Sequence, residues 1–141
     1  MSKNERLIWF KGDMVTIENA KINVLSPTCQ FGANVFEGLR AYWNISEKQL
    51  YVFRLSEHTN RLQNSMKMLG FETEFTNVFL QQSVIDIIQA NNFQEDLVCR
   101  QTVFLDGFGN WSATGPVEMF IAPMAKGRYY EKSQGLDVCI S

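Results

Sequence analysis

Residues 31–42, with the sequence FGANVFEGLRAY, combine side chains that could bind a ligand with glycines that could bring the backbone close to one. Gly32 and Gly38 have no Cβ, so the chain can turn tightly or approach another group at these positions. Phe36 offers apolar surface, and Arg40 places a cation in an otherwise apolar strand. A guanidinium inside a protein needs a carboxylate, a phosphate or carbonyl oxygens around it, so Arg40 is expected to have such a partner. The simpler interpretation of this stretch is an irregular strand with a bulge and no ligand.

The elements that would carry these residues follow from the hydrophobic pattern. Residues 7–15 are typical of two short strands joined by a turn at Gly12–Asp13. A helical period begins at Ser56, which could cap a helix that ends at Gly70, and a second helix from Thr76 to Asn91 would be capped by Thr76. Further strands are predicted at residues 21–25, 31–42, 49–54, 96–105, 117–124 and 136–141.

Each predicted helix has one apolar side that would pack on a sheet. In the first helix this side consists of Leu55, Leu62, Met66 and Leu69, and in the second of Leu80, Val84, Ile87 and Ile88. Strands, then two helices, then strands predict an α+β domain in which two helices pack on a mostly antiparallel sheet.

Composition narrows the class of protein. A chain of 141 residues with 45% apolar and 20% charged residues is sized and composed for one folded domain. A net charge of -2 argues against nucleic acid or an acidic membrane surface as a partner. One histidine and three cysteines without C-x-x-C spacing predict no metal site and reduced thiols. The sequence shows neither a signal peptide nor an apolar run of roughly 20 residues, so we expect a soluble, cytoplasmic protein.

Three segments resemble a known family, in the order in which the family has them. Residues 35–42, VFEGLRAY, resemble the signature of the branched-chain amino-acid aminotransferases, fold-type IV enzymes that use pyridoxal phosphate. Residues 8–15 resemble the opening hairpin of these enzymes, and residues 53–62 fit their pattern F-R-x-x-E-H-x-x-R-L. The resemblance implies the small N-terminal domain of such an enzyme, which has an α+β fold.

The resemblance also implies roles for individual residues. Arg61 matches the arginine that holds the cofactor phosphate, and a guanidinium fork suits the geometry of a phosphate. Phe36 would form the wall of an apolar substrate pocket, and Gly38 would leave room for a branched side chain. Arg100 matches an arginine that faces the substrate and helps to bind an acidic side chain. Such a residue is needed in an enzyme that accepts both apolar amino acids and glutamate at one site. Each of these residues also has a structural interpretation. Arg61 could be a solvated helix arginine, Phe36 a core residue, and Arg100 a salt-bridged residue of the sheet.

Other positions are expected to be structural or depart from the family. Arg40 is interpreted as structural, paired with Glu37 or with another carboxylate, and His58 as a helix histidine without a ligand role. Phe31, at a substrate-binding position, and Val98 stand where many members have tyrosines, so carboxylate binding would need other donors. Residues 106–113 match a loop that in the family reaches the partner's site across a homodimer interface.

The lysine that bonds to pyridoxal phosphate and acts as general base lies in the larger C-terminal domain of the family. None of the seven lysines matches it, so no catalytic residue is assigned. We therefore expect residues 1–134 to form the small domain, residues 135–141 to begin the linker or large domain, and this chain to be inactive alone. The partners of the complete enzyme would be an amino acid and a 2-oxo acid.

Two alternatives stay open at this point. One is another class IV enzyme, a D-amino-acid transaminase or an aminodeoxychorismate lyase, although the form VFEGLRAY argues against both. The other is a stand-alone domain without catalysis, used for dimerisation or regulation.

Overall fold

The computed structural model of the protein describes residues 6–127 and residue 139. In this part of the chain the strands are β1 Leu7–Phe10, β2 Asp13–Thr16, β3 Asn34–Asn44, β4 Gln49–Val52, β5 Leu97–Leu105 and β6 Val117–Ala125, and the α-helices are α1 Pro27–Phe31, α2 Leu55–Met68 and α3 Asn77–Asn91. The strands form one antiparallel sheet in the order β2-β1-β6-β5-β3-β4. The predicted α+β class is confirmed, with three α-helices instead of two.

The two long helices, α2 and α3, cover one face of the sheet. Their apolar sides pack on the alternate residues of the central strands, and the fully buried side chains of this core include Leu39, Leu62, Leu80, Ile87, Leu97, Val103, Met119 and Ile121. Cys99 is also in this layer, and burial raises the pKa of its thiol to about 12. The opposite face of β3 and β5 is not covered by α2 and α3, and Phe36 and Arg100 are exposed there, whereas Thr102 and Phe104 are buried.

Residues 21–25 are not a strand, so that prediction was wrong. The Oδ1 atom of Asn23 accepts a hydrogen bond from the backbone N–H of Leu25 at 2.8 Å, and the backbone carbonyl of Asn23 accepts one from Ser26 at 3.0 Å. These local bonds turn the backbone, as short polar side chains often do. The Oγ of Ser26 then caps α1 by accepting from the backbone N–H of Cys29 at 3.4 Å.

The signature stretch 31–42 contains a helix end before its strand. Phe31 is the last residue of α1, and Gly32 ends the helix with a φ of 68°. The strand begins only at Asn34. The predicted strand at 136–141 and the domain division at 134/135 fall, except for Cys139, outside the described residues.

The two long helices begin in different ways. Thr76 caps α3 as predicted, because its Oγ1 accepts a hydrogen bond from the backbone N–H of Phe79 at 3.2 Å. Ser56 does not cap α2, which starts at Leu55 after Arg54, a residue with φ 49° and no capping side chain.

The predicted apolar side of α2 was wrong at one position. Leu69 is 53% exposed, since the helix ends at Met68 and the chain turns away at Gly70 with a φ of 68°.

Two classes of site are not found in residues 6–127 and 139. No helix there is long and apolar enough to cross a membrane. In the same part of the chain, no cluster of histidine, cysteine, aspartate and glutamate is arranged to hold a metal ion.

The capping difference makes a stability prediction. Thr76→Ala should lower the free energy of unfolding by about 1 kcal/mol, because α3 loses the acceptor for one of its first N–H groups. Ser56→Ala, the matched control, should change it by less than about 0.5 kcal/mol, because Ser56 is exposed and caps nothing. Urea unfolding of both variants measures the two values. Equal losses would contradict the assignment of the caps.

Candidate functional site

The pairing of β3 with β5 brings three of the predicted substrate residues together. Gly38 lies directly opposite Arg100, and Phe36 lies opposite Thr102. Directly opposite residues project from the same side of a sheet, so Phe36, Gly38 and Arg100 share the face that α2 and α3 leave uncovered. We call the β3–β5 part of this side the open face. The guanidinium carbon of Arg100 lies 4.2 Å from the centre of the Phe36 ring, a cation–π contact.

Gly38 leaves space on the open face. A Cβ added to Gly38 would meet no atom of the described residues within 4 Å, and the backbone there is not left-handed. The fold therefore does not need a glycine at this position for backbone geometry. Phe36 is 52% exposed beside the gap, so a ligand side chain placed over Gly38 would contact the ring and the guanidinium of Arg100.

Thr102 adds a polar group that the sequence did not single out. It is 5% exposed, and its Oγ1 has no hydrogen-bond partner among the described residues. A buried hydroxyl without a partner is uncommon, and it often marks a place where water or a ligand completes the bonding. The alternation of β5 would have placed it beside Arg100, but a threonine in a strand is too common to stand out.

Phe31 is not part of the open face. It belongs to α1, where it is 54% exposed. Val98, the other residue at a common tyrosine position, lies opposite Arg40 on β3. Neither residue supplies a hydroxyl to the site, as the sequence implied.

Arg61 lies on the other side of the sheet, where Glu37 of β3 faces α2. The Nε of Arg61 donates to Oε1 of Glu37 at 2.6 Å, and Nη2 donates to Oε2 at 2.5 Å. The Glu37 side chain is only 5% exposed, whereas that of Arg61 is 66% exposed. The pair is thus a bidentate ion pair with one partner inside the domain and the other at its surface.

His58 completes this cluster, one turn before Arg61 on α2. Its Nδ1 lies 2.8 Å from Oε2 of Glu37. Burial acts to raise the pKa of Glu37, but the hydrogen bonds and charges of Arg61 and His58 outweigh it, so the pKa of this carboxyl is lowered. The same contact raises the pKa of Arg61. His58 therefore binds a carboxylate, which sequence reasoning missed.

The expected pairing of Arg40 with Glu37 was wrong. Side chains 37 and 40 are an odd number of positions apart and leave opposite faces of β3. Nη2 of Arg40 instead donates to the backbone carbonyl of Gly127 at 3.2 Å, and the guanidinium carbon is 5.6 Å from the centre of the Tyr42 ring.

The chain belongs to the class IV amino-transferases, because the model of that family matches residues 34–141. The branched-chain-amino-acid aminotransferase of Escherichia coli (strain K12) is 34% identical over 146 residues, which cover 99% of this chain and 46% of that protein. The solved branched-chain aminotransferase of Thermoproteus uzoniensis with norvaline superposes with a TM-score of 0.83 at 37% identity, over 89% of this chain and 42% of that one.

A third relative was solved in its holo-form. The branched-chain amino acid aminotransferase of Thermobaculum terrenum in the PLP-form has a TM-score of 0.76 at 30% identity, over 90% of this chain and 42% of that one. The chain spans less than half the length of the relatives it matches and corresponds to their N-terminal portion.

The lowered pKa of Glu37 predicts how acid affects the fold. A carboxyl with a lower pKa in the folded chain stabilises the fold above its unfolded pKa, and this contribution is lost as the pH falls through the folded pKa. The ordinary pKa of a glutamate is 4.5, so this stabilisation is lost below that pH. The difference in unfolding free energy between wild type and Glu37→Gln should therefore shrink between pH 7 and about pH 3.

Urea unfolding at several pH values measures this difference. Glu57→Gln is the control, since Glu57 is an exposed carboxylate on the helix that carries Arg61 and lies 3.2 Å from Arg54. Its effect should be small at every pH. A Glu37→Gln difference that stays constant with pH would contradict the lowered pKa.

Proposed function

We propose that this chain is the small domain of a branched-chain amino-acid aminotransferase. The whole enzyme would transfer an amino group from leucine, isoleucine or valine to 2-oxoglutarate with pyridoxal phosphate, as a cytoplasmic homodimer. The observation that carries the proposal is the open face, where the ring of Phe36 and the guanidinium of Arg100 lie beside Gly38, which has no side chain. The relatives named above are all branched-chain aminotransferases, which supports the same reaction for this family member.

The open face suits a site that accepts two kinds of side chain in turn. Phe36 offers apolar surface to a branched side chain, and the gap at Gly38 gives that side chain room. Glutamate brings a carboxylate instead, and the exposed guanidinium of Arg100, which lies over the ring of Phe36, can donate to it. Since a guanidinium stacked on a ring keeps its N–H edge free, the apolar and acidic substrates need no separate sites.

The residues of the chain fit a phosphate-bearing cofactor at Arg61. Its Nε–H and one N–H of Nη2 donate hydrogen bonds to Glu37, while Nη1 has no acceptor among the described residues. The outer edge of the fork is therefore available to the oxygens of a phosphate. Pyridoxal phosphate, when bound, would supply the electron sink for the reaction. In the proposal this chain binds the phosphate and orients the substrate, and a lysine from outside the chain moves the proton.

Phe31 completes the proposed set of substrate residues. It reaches solvent from α1, next to the strand that carries Phe36 and Gly38. Its ring would add apolar surface and no donor, so the substrate carboxylate needs other partners, of which the hydroxyl of Thr102 is one candidate.

A hybrid enzyme tests the substrate assignment. Residues 1–141 would replace the corresponding portion of the Escherichia coli relative, and leucine and glutamate would be assayed as amino donors. Arg100→Met should lower kcat/KM for glutamate by about 10- to 100-fold, because the γ-carboxylate loses its charged donor, and should change the value for leucine by less than about threefold.

The matched control for this variant is Arg54→Met. Arg54 also has its guanidinium over a phenylalanine ring, 6.0 Å from the centre of Phe53, but it lies at the start of α2. Arg54→Met should leave kcat/KM unchanged for both leucine and glutamate. Equal losses for leucine and glutamate in Arg100→Met, or a folded hybrid without any transaminase activity, would count against the proposal.

The lysines of this chain give a second test. Pyridoxal phosphate and borohydride should label no single lysine stoichiometrically in the 141-residue chain, and leucine should not be turned over, because none of the seven lysines is assigned the catalytic role. Mass spectrometry of the digested protein locates any label. One stoichiometric site together with leucine-dependent turnover would show that this chain is an enzyme by itself.

A further inference from the structure

We propose that Glu37 is a positioning residue, which holds the guanidinium of Arg61 in the orientation that binds a phosphate group, with His58 holding Glu37 in turn. The inference rests on the proposed function, since it concerns the phosphate of that cofactor. It adds two residues that would act through Arg61 without touching the ligand.

The first step is the contrast in burial within the pair. Arginine has a long side chain with several freely rotating bonds, and a surface arginine usually samples many orientations. Arg61 is 66% exposed, yet two of its N–H groups are bound to a carboxylate that is 5% exposed. Glu37 itself is fixed by strand β3, which pairs with β5 at this position, where Glu37 lies opposite Gln101. An exposed cation is therefore anchored to the sheet.

The second step is which edge of the guanidinium is used. The contact to Glu37 runs through Nε and Nη2, the side edge of the fork. The end edge, which consists of Nη1 and the second proton of Nη2, then points away from Glu37. A planar guanidinium that is bound on its side edge can bind a second oxyanion on its end edge, because the five donors have a fixed geometry.

The third step concerns His58. Both oxygens of the Glu37 carboxylate accept hydrogen bonds from Arg61, so a hydrogen bond between Oε2 and Nδ1 of His58 at 2.8 Å requires the tautomer in which Nδ1–H donates. The same Nδ1 lies 3.2 Å from Nη2 of Arg61, and two donors at that distance form no hydrogen bond with each other. Both groups converge on Oε2, which restricts the carboxylate to one rotamer and so fixes the plane of the guanidinium.

A positioning role and a purely electrostatic role of Glu37 predict opposite changes in phosphate affinity when Glu37 is neutralised. If Glu37 acted only through its charge, it would repel a phosphate, and its neutralisation would strengthen phosphate binding. If it positions Arg61, the loss of the charged acceptor lets the guanidinium rotate, and binding weakens because the side chain must then be ordered by the ligand.

The test measures inorganic phosphate binding to the 141-residue chain by NMR, with the Nε–H signal of Arg61 as the readout. Glu37→Gln should weaken phosphate binding by about three- to tenfold, the equivalent of ordering one long side chain. In the same variant the Nε–H signal should lose its protection from exchange with water. Glu37→Asp keeps the charge but is one methylene shorter, so it should fall between wild type and Glu37→Gln.

Glu57→Gln is the matched control, because it removes one negative charge from α2, the helix that carries Arg61, at a position that does not contact Arg61. It should bind phosphate as tightly as wild type or slightly more tightly. If Glu37→Gln does not fold, Glu37→Asp decides: weaker binding supports the positioning role, and wild-type binding overturns it.

Arg61→Met separates this inference from the proposed function. If Arg61→Met loses phosphate binding while Glu37→Gln binds phosphate as wild type does or more tightly, Arg61 is the phosphate residue and the positioning role of Glu37 is wrong. If Arg61→Met binds phosphate like wild type, the phosphate role of Arg61 fails, and the positioning role fails with it.

Discussion

The contact between Glu37 and Arg61 constrains the structure more than any other polar interaction at the site. A carboxylate in the layer between sheet and helices is costly unless cations meet it, because the charge has lost its water. Arg61 and His58 meet this need from adjacent turns of α2. The register of α2 over β3 is thereby tied to the position of one charge, whereas apolar packing alone would tolerate small shifts of the helix.

The two-residue period of a strand explains how one segment can serve two parts of a site. In β3 the residues Phe36 and Gly38 project to the open face, and Glu37, between them, projects towards α2. The proposed substrate contacts and the support of the proposed phosphate contact are therefore covalent neighbours on opposite faces. A shift of β3 by one residue against β5 would exchange the two faces and destroy both at once.

The sequence predicts the strands and the long helices well because their hydrophobic periods are strong, and it predicts the cap at Thr76 because a threonine stands directly before an apolar helical pattern. It fails at residues 21–25 and at Ser56, where local hydrogen bonds and backbone angles decide and the period carries little information. The sequence motif could indicate Arg61 as the phosphate residue. The pairing of Arg61 with Glu37 can be predicted only once it is known which face of β3 Glu37 occupies. Thr102 depends in the same way on its register opposite Phe36.

The exposure of the open face bears on what the complete site requires. A guanidinium in water binds a carboxylate weakly, because water competes and salt screens the charges, and the same contact is much stronger where water is excluded. Phe36 is 52% exposed in this chain, and Arg100 is exposed beside it. For Arg100 to distinguish glutamate from leucine, a second surface must cover these residues when substrate is bound. In the proposed enzyme that cover would come from protein outside the described residues, and the catalytic lysine would lie in the larger domain.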